Sequence, residues 1–127
     1  MADMVNHPNH YANNRMQQLI GAECIEFSRH FSFDVGNAFK YVWRCLDKGT
    51  TVQDLDKAIF YLNDHVSRIY YLKAYCDEDA LEDLVDRLYA AEGETAFEKK
   101  QLEVLRCIYE DPKSARVVLD ELKALVR

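Results

Sequence analysis

The amino-acid sequence predicts an all-α protein of five or six helices. Apolar residues recur at helical spacing along most of the chain, and only 4 Gly and 2 Pro occur in 127 residues. A hydrophobic fraction of 49% is enough for a buried core, and the length suits a single domain, residues 1–127. At its centre we expect an antiparallel helical hairpin over Phe33–Tyr75.

The N-terminal residues 1–15 are polar and are interrupted by Pro8. They place three ring side chains within five positions: His7, His10 and Tyr11. These rings could seal one end of the hairpin, contact a ligand, or bind a transition metal together with a third ligand from elsewhere. The spacing leaves these alternatives open.

The first helix is predicted over Gly21–His30, with an apolar face that includes Cys24, Phe27 and Phe31. The preceding residues 16–20 fit either an extended entry or a first helical turn. The segment Ser32–Phe33–Asp34 is expected to cap the next helix, with Asp34 the better N-cap candidate because its carboxylate can accept hydrogen bonds from free backbone N–H groups.

Each helix of the predicted hairpin carries one apolar stripe at helical spacing. The stripes comprise Val35, Phe39, Val42 and Leu46 on the first helix, and Leu55, Ile59, Leu62, Val66 and Ile69 on the second. The first helix is expected to end near Gly49, which can adopt the left-handed conformation. Thr50 and Gln53 resemble a capping box that starts the second helix, which we extend to Ala74.

Each helix also carries a separate polar stripe of cations and tyrosines. The stripes comprise Asn37, Lys40, Tyr41, Arg44 and Lys48 on the first helix, and Asp54, Lys57, Tyr61, His65 and Arg68 on the second. Two such stripes on neighbouring helices suit an anion attached to a flat ring. The alternative is a solvated surface on which Glu23, Glu26 and Asp54 pair with the cations. The same acids could instead position a hydroxyl or a metal ion.

The second half of the chain predicts three more helices, over Asp77–Glu92, over Thr95–Glu110 and from Asp111 onward. Thr95 is followed three positions later by Glu98, as in a capping box, and Pro112 is tolerated in a first helical turn.

The charge distribution limits the class of partner. Residues 1–75 hold 8 acids and 8 bases, whereas residues 76–127 hold 14 acids and 8 bases, which together give the net charge of −6. Duplex nucleic acid is therefore not an expected partner, because its binding requires a broad cationic surface. A small nucleotide pocket needs only a few cations. The sequence has neither a signal peptide pattern nor an apolar run that could span a bilayer, so we expect a cytoplasmic protein without a membrane partner.

Common catalytic signatures are missing from the sequence. It contains no GxxxxGK[ST] phosphate loop, no GxGxxG, no Gly-x-Ser-x-Gly and no HExxH. The four cysteines form no CxxC pair, so we assign no metal site and expect reduced thiols.

Four ordered motifs within residues 6–65, NHPNHY, GAECIEF, GNAFKYVWRCLDKG and DLDKAIFYLND, are similar to those of the small phage-encoded SaV-like proteins. Members of that family are described as nucleotide kinases or as a domain of unknown function. The matching residues are His7, Pro8, His10 and Tyr11, then Glu23, Cys24 and Ile25, then Gly36, Asn37, Ala38, Lys40, Tyr41 and Arg44, and finally Asp54, Leu55, Lys57, Ala58, Tyr61 and Leu62. The link ANNRMQQLIG departs from the shorter, glycine-containing link of the family. Nothing after Tyr75 matches, so we expect a nucleotide-binding core over residues 6–75 and an acidic helical extension over residues 76–127.

The resemblance implies a phage or prophage origin and phosphorylation of (deoxy)nucleoside monophosphates without a phosphate loop. A host cytoplasm would then be the location. One alternative is a non-catalytic nucleotide-binding protein that sequesters a host signalling nucleotide, and another is a pure interaction module.

In the hypothesised site, every candidate residue has a role. Phosphate oxygens bind to Lys40, Arg44 and Lys57, and the nucleotide is covered by His7, His10 and Tyr11 and oriented by Asn37 and Tyr61. Tyr41 is a further nucleotide-binding candidate, and the catalytic candidates are Arg44, Lys40 and Glu23. Glu23 or Asp54 would fix the cations or a bound Mg²⁺, whose requirement stays open. A homo-oligomer is also expected, because Tyr70, Tyr71 and Tyr75 offer apolar surface.

Overall fold

The computed structural model describes residues 14–68 and 78–126, and the elements in those ranges are all α-helices. Seven helices are present there, which confirms the all-α prediction and exceeds the predicted number by at least one. They are α1 (Arg15–Ile20), α2 (Cys24–Ser28), α3 (Phe33–Arg44), α4 (Thr51–Ser67), α5 (Glu78–Ala90), α6 (Ala96–Glu110) and α7 (Pro112–Ala124). None of these helices is long and apolar enough to cross a membrane.

The additional helix arises because two short helices replace the one predicted over residues 21–30. Residues 16–20 are helical, and α1 ends at Gly21, whose left-handed φ of 79° stops the helix. The next helix, α2, begins after Glu23, whose backbone N–H donates to the Glu26 side chain at 2.7 Å in a capping box. Gly21, predicted above as the first residue of a helix, is therefore the C-cap of α1.

The first helix of the predicted hairpin, α3, begins and ends earlier than expected. Its N-cap is Ser32 rather than Asp34, which lies in the first turn. The helix ends at Arg44, so Leu46 leaves the apolar stripe and is 48% exposed. Gly49 has the predicted left-handed conformation, with a φ of 71°.

The predicted capping box of α4 is wrong. The Thr50 side chain makes no cap hydrogen bond, and its hydroxyl lies 3.4 Å from Oδ2 of Asp54, to which it donates. Asp54 and His65, assigned above to a polar stripe, are buried instead. The reason is that α4 packs against both α3 and α7, so its buried arc is wider than its apolar stripe. The predicted continuation of this helix to Ala74 lies outside the described residues.

The core of the described chain draws on both halves of the sequence. Helix α3 packs against α2, α4 and α6, and α4 packs against α3 and α7. The buried rings of Phe27, Phe39 and Trp43 lie together, with centroids 5.3 to 5.8 Å apart. The core is therefore on the side of α3 that carries Phe39, and the side that carries Lys40 and Arg44 stays partly exposed.

Buried amides fix the C-terminal end of α3. Gln101 of α6 donates through Nε2 to the Val42 carbonyl oxygen at 2.8 Å, and Asn14 donates through Nδ2 to the Trp43 carbonyl oxygen at 3.2 Å. Carbonyl groups in the last helical turn lack the usual partner four residues on. These bonds therefore hold Arg44, the last residue of α3, in a defined position relative to α1 and α6.

The caps predicted for the second half are confirmed. Thr95 accepts a hydrogen bond from the Glu98 backbone N–H at 3.0 Å in a reciprocal capping box, and Pro112 opens α7. The antiparallel hairpin, the domain organisation and the homo-oligomer stay predictions. Several residues of those hypotheses lie outside the described ranges: His7, His10, Tyr11, Tyr70, Tyr71 and Tyr75.

Candidate functional site

Three cations of α3 and α4 surround one tyrosine ring. The centroid of the Tyr41 ring lies 4.5 Å from Lys40 Nζ, 5.5 Å from Arg44 Cζ and 5.3 Å from Lys57 Nζ. These are distances at which a cation is attracted by the π-system of the ring. We call Lys40, Arg44 and Lys57 the cation cluster. The contact between α3 and α4 thus unites residues that the sequence placed on two separate helices.

The rings beside the cation cluster form a continuous row. Tyr41 stacks on Tyr61, with centroids 6.0 Å apart and an interplanar angle of 9°. Two phenylalanines meet the Tyr61 ring edge-on, Phe33 at 5.8 Å and Phe60 at 5.3 Å. Phe33 is 74% exposed and Phe60 is 64% exposed. The aromatic row, Tyr41, Tyr61, Phe33 and Phe60, therefore presents rings both to the cations and to solvent.

Arg44 is held next to a buried carboxylate without a hydrogen bond to it. Its Nε lies 3.9 Å from Oδ2 of Asp54, which is an ion-pair distance but too long for a hydrogen bond. The Nε atom is buried and has no hydrogen-bond partner among the described residues. Asp54 is only 2% exposed and stands in the first turn of α4, where the helix dipole favours a negative charge. Asp54 therefore orients Arg44 and neutralises part of the charge of the cluster.

The two lysines of the cluster have no such neighbour. In the described ranges, neither Lys40 nor Lys57 has a carboxylate within 4.0 Å of its ammonium group, which is the ion-pair distance that Arg44 and Asp54 meet. Lys40 and Arg44 are also four positions apart on one helix, an arrangement of like charges that is mildly unfavourable. The cation cluster therefore has an excess of positive charge on its partly exposed side.

The other predicted site residues lie in different situations. Asn37 donates through Nδ2 to the Phe33 carbonyl oxygen of its own helix at 2.8 Å. Glu23 is the N-cap residue of α2, so the structure gives it a local structural role besides any catalytic one. No group of three metal-ligating side chains occurs in the part of the chain that the structure describes. His7, His10 and Tyr11 are not described.

A cleft adjoins the cation cluster on the side of α2. Its volume is about 200 Å³, and it is lined by Ser28, Phe31, Ser32, Phe33, Asn37 and Lys40, among others. Gly36 also borders it, and a Cβ at that position would lie 3.2 Å from the Ser28 carbonyl oxygen, so glycine permits the close approach of α2 to α3. The Ser32 Oγ atom is buried and has no hydrogen-bond partner among the described residues.

A second like-charge contact joins the opposite ends of α3 and α4. Asp34 is 5% exposed, and burial together with the hydrogen bond that its protonated carboxyl donates to the neighbouring Asp64 raises its pKa to about 6. Arg68 opposes this shift, and its Nε lies 3.6 Å from Asp64 Oδ1. Sequence reasoning assigned Asp34 a capping role and missed the contact, because the pairing partner is 30 positions away.

Sequence reasoning also missed Ser32, Phe33 and Phe60. A signal was present for the two phenylalanines, since both are aromatic residues that lie off the apolar stripe of their helix. No sequence signal distinguishes Ser32 from an ordinary N-cap serine.

Comparison with known proteins identifies one family. The sequence model of the family described as "Protein of unknown function (DUF3310)" matches residues 5–63, so this part of the chain is similar to that family. The matched range contains the whole cation cluster and the whole aromatic row. No curated protein and no solved structure matches the chain.

Proposed function

We propose that the protein binds a nucleotide with its phosphate on the cation cluster. One observation carries the proposal: three cations lie within 5.5 Å of the Tyr41 ring centroid, and the nearest carboxylate among the described residues, Asp54, is too distant for a hydrogen bond. Like charges held together are costly in a free protein, and a bound anion removes that cost. Phosphate suits this cluster because a guanidinium can grip two phosphate oxygens while ammonium groups act as point charges.

The aromatic row favours a nucleotide over inorganic phosphate. Base rings stack on exposed aromatic side chains, and each stacked base contributes about 1–3 kcal/mol. Phe33 offers such an exposed ring beside the cations. A ligand with an anionic end and a flat aromatic end therefore complements this surface better than either part alone.

The specific activity that we propose is phosphorylation of (deoxy)nucleoside monophosphates without a phosphate loop. It rests on the resemblance to SaV-like proteins, as does the proposed phage or prophage origin. Phosphoryl transfer depends mainly on positioning and on charge neutralisation, which cations from helices can provide. A nucleoside triphosphate would donate its γ-phosphoryl group to the phosphate oxygen of the monophosphate and leave as the diphosphate. Arg44 and Lys40 would stabilise the transferred group, and Lys57 would hold the acceptor phosphate. The alternative is a protein of the same site that binds a nucleotide without turnover and so removes it from solution.

Incubation with a panel of nucleoside monophosphates and triphosphates, followed by chromatography of the products, separates these functions. Phosphate transfer supports the kinase, and calorimetric binding without new products supports the non-catalytic protein. If no member of the panel binds or reacts, the proposed function is wrong. Light scattering on the same samples tests the predicted homo-oligomer.

Paired variants test the place of binding. Lys40→Ala with Lys57→Ala should weaken nucleotide binding by about 10- to 100-fold, because two charge-assisted contacts are lost. Lys99→Ala with Lys113→Ala is the matched control, since it removes the same charge from α6 and α7. Equal loss in both double variants would show that only net charge matters, and would contradict the proposed site.

A further inference from the structure

We infer that the cleft between α2 and α3 holds the base of the nucleotide whose phosphate binds to the cation cluster, with Phe33 as the stacking residue and Ser32 contacting the edge of the base. The inference rests on the proposed function. It adds a second half to the site, formed largely by residues that the sequence motifs do not indicate.

Lys40 joins the two halves of this site. Its Nζ lies 4.5 Å from the centroid of the Tyr41 ring, and the same side chain lines the cleft. A phosphate bound to Lys40 therefore lies next to the cleft. The next groups of the ligand can extend from there either into the cleft or into solvent.

The size of the cleft suits one part of a ligand. Its volume of about 200 Å³ is below the range of roughly 300–1,000 Å³ that is typical of pockets enclosing a whole small molecule. A base fits this description, because the sugar and phosphate would remain outside on the cation cluster.

The lining of the cleft suits a ring with polar edges. Among the lining residues that the structure describes, Lys40 is the only charged one, whereas Phe31 and Phe33 provide aromatic surface. A ring is therefore favoured over a second phosphate. Phe33 is 74% exposed although it touches Tyr61, so its free surface can receive a base.

Two polar groups of the lining have hydrogen-bonding capacity for the edge of a base. A serine at an N-cap usually accepts a hydrogen bond from a backbone N–H of its helix, but Ser32 makes no such bond. Its buried Oγ has no partner among the described residues, which is an unfavourable state for a hydroxyl. Asn37 uses its Nδ2 within the helix, and its carbonyl oxygen can accept a further bond.

Phe33 and Phe60 form a matched pair for the test. Both are largely exposed, and both meet the Tyr61 ring edge-on, at 5.8 Å and 5.3 Å. Only Phe33 lines the cleft. Calorimetry with Phe33→Ala and Phe60→Ala should therefore separate a contact with the base from a general loss of aromatic surface.

The ligands are the four common nucleoside monophosphates and ribose 5-phosphate, which keeps the phosphate and lacks the base. The parent protein should bind at least one nucleotide about tenfold or more tightly than ribose 5-phosphate. Phe33→Ala should abolish that difference without changing the affinity for ribose 5-phosphate. Phe60→Ala should change neither affinity by more than about twofold, and Ser32→Ala should reduce the preference among bases.

Three results overturn the inference. If the parent protein binds nucleotides and ribose 5-phosphate equally, no site for the base exists, although a phosphate site on the cation cluster is still supported. If Phe33→Ala binds the nucleotide as tightly as the parent protein, and circular dichroism shows that both proteins are folded, the base does not bind in this cleft. The proposed function is unaffected by that result. Binding of neither ligand to the parent protein overturns both the inference and the proposed function.

Discussion

Where α3 and α4 pack, like charges lie together beside two ion pairs, Arg44 with Asp54 and Arg68 with Asp64, whereas several cations of α5, α6 and α7 lie next to a carboxylate and not next to another cation. Three cations surround Tyr41, and the Asp34 and Asp64 carboxyl groups lie together at the other end of the same helices. Several cations of the second half lie within 4 Å of a carboxylate: Arg87 with Asp83, Lys100 with Glu103 and Glu121, Arg116 with Asp120, and Lys123 with Asp56 of α4.

This difference distinguishes a surface suited to stability from one suited to binding. Each pair of opposite surface charges contributes little to the free energy of unfolding, and it leaves no net field for a ligand. Clustered like charges cost stability in the free protein and provide a field that an anion can neutralise. The region with the poorer charge arrangement is therefore the better candidate for function.

The largest expected effect follows from Arg44→Ala. Nucleotide binding should fall by about 10- to 100-fold, because Arg44 contributes a charge-assisted contact to the phosphate. The unfolding free energy should also fall by about 3 kcal/mol, since Asp54 would remain buried without its cation. Calorimetry and urea unfolding measure the two losses.

Two controls separate these losses. Adding Asp54→Asn to Arg44→Ala should restore much of the stability and none of the binding. Arg116→Ala, which removes an arginine paired with Asp120 on α7, should change binding by less than twofold. Binding by Arg44→Ala at the parent's affinity would show that the like-charge cluster has no role in function.

The next effect concerns pH. The pKa of Asp34 is raised to about 6, above its ordinary value of 3.8, so the stability that it contributes is complete below pH 3.8 and is lost as the pH rises through about 6. Asp34→Asn imitates the protonated form. At pH 7 it should raise the unfolding free energy by up to about 3 kcal/mol, and it should flatten the dependence of stability on pH between 4 and 7.

Glu98 provides the opposite case in the second half. A hydrogen bond from Arg15 at 2.8 Å lowers the pKa of Glu98, so its contribution is present above the ordinary value of 4.5 and is lost as the pH falls. Glu98→Gln keeps a residue that can form the capping box and should lower the unfolding free energy at pH 7. Urea unfolding at a series of pH values measures both variants. If Asp34→Asn and Glu98→Gln changed the unfolding free energy in the same direction at pH 7, the contrast between the two carboxyl groups would be wrong.

The smallest expected effect compares two lysines in the ligand-free protein. Lys57→Gln should raise the unfolding free energy by a few tenths of a kcal/mol, because it relieves repulsion within the cation cluster. Lys100→Gln should lower it by about 0.5 kcal/mol, because Lys100 lies 2.8 Å from Glu103 and 3.3 Å from Glu121. Thermal melts in low salt measure both changes, and a loss of stability in Lys57→Gln would show that the cluster is not under repulsion.

The sequence alone determined the features that depend on local chemistry. Helical periodicity predicted an all-α protein, and it placed Phe39, Val42, Leu55 and Leu62 in the core, where they are buried. The capping box at Thr95 and the left-handed Gly49 also follow from a few neighbouring residues. Periodicity likewise placed Lys40, Tyr41 and Arg44 on one face of a helix. Their chemistry suggested an anion with a flat ring, which stays a hypothesis.

Tertiary structure alone decided which residues meet and which face of a helix is covered. Packing of α4 against both α3 and α7 buried Asp54 and His65, although periodicity placed them on a polar stripe. The same packing brought Lys57 to the Tyr41 ring and Asp64 to Asp34. The cleft beside Phe33 depends on the approach of α2 to α3. Such contacts join residues far apart in sequence, and no local spacing encodes them, because they depend on how several helices pack together.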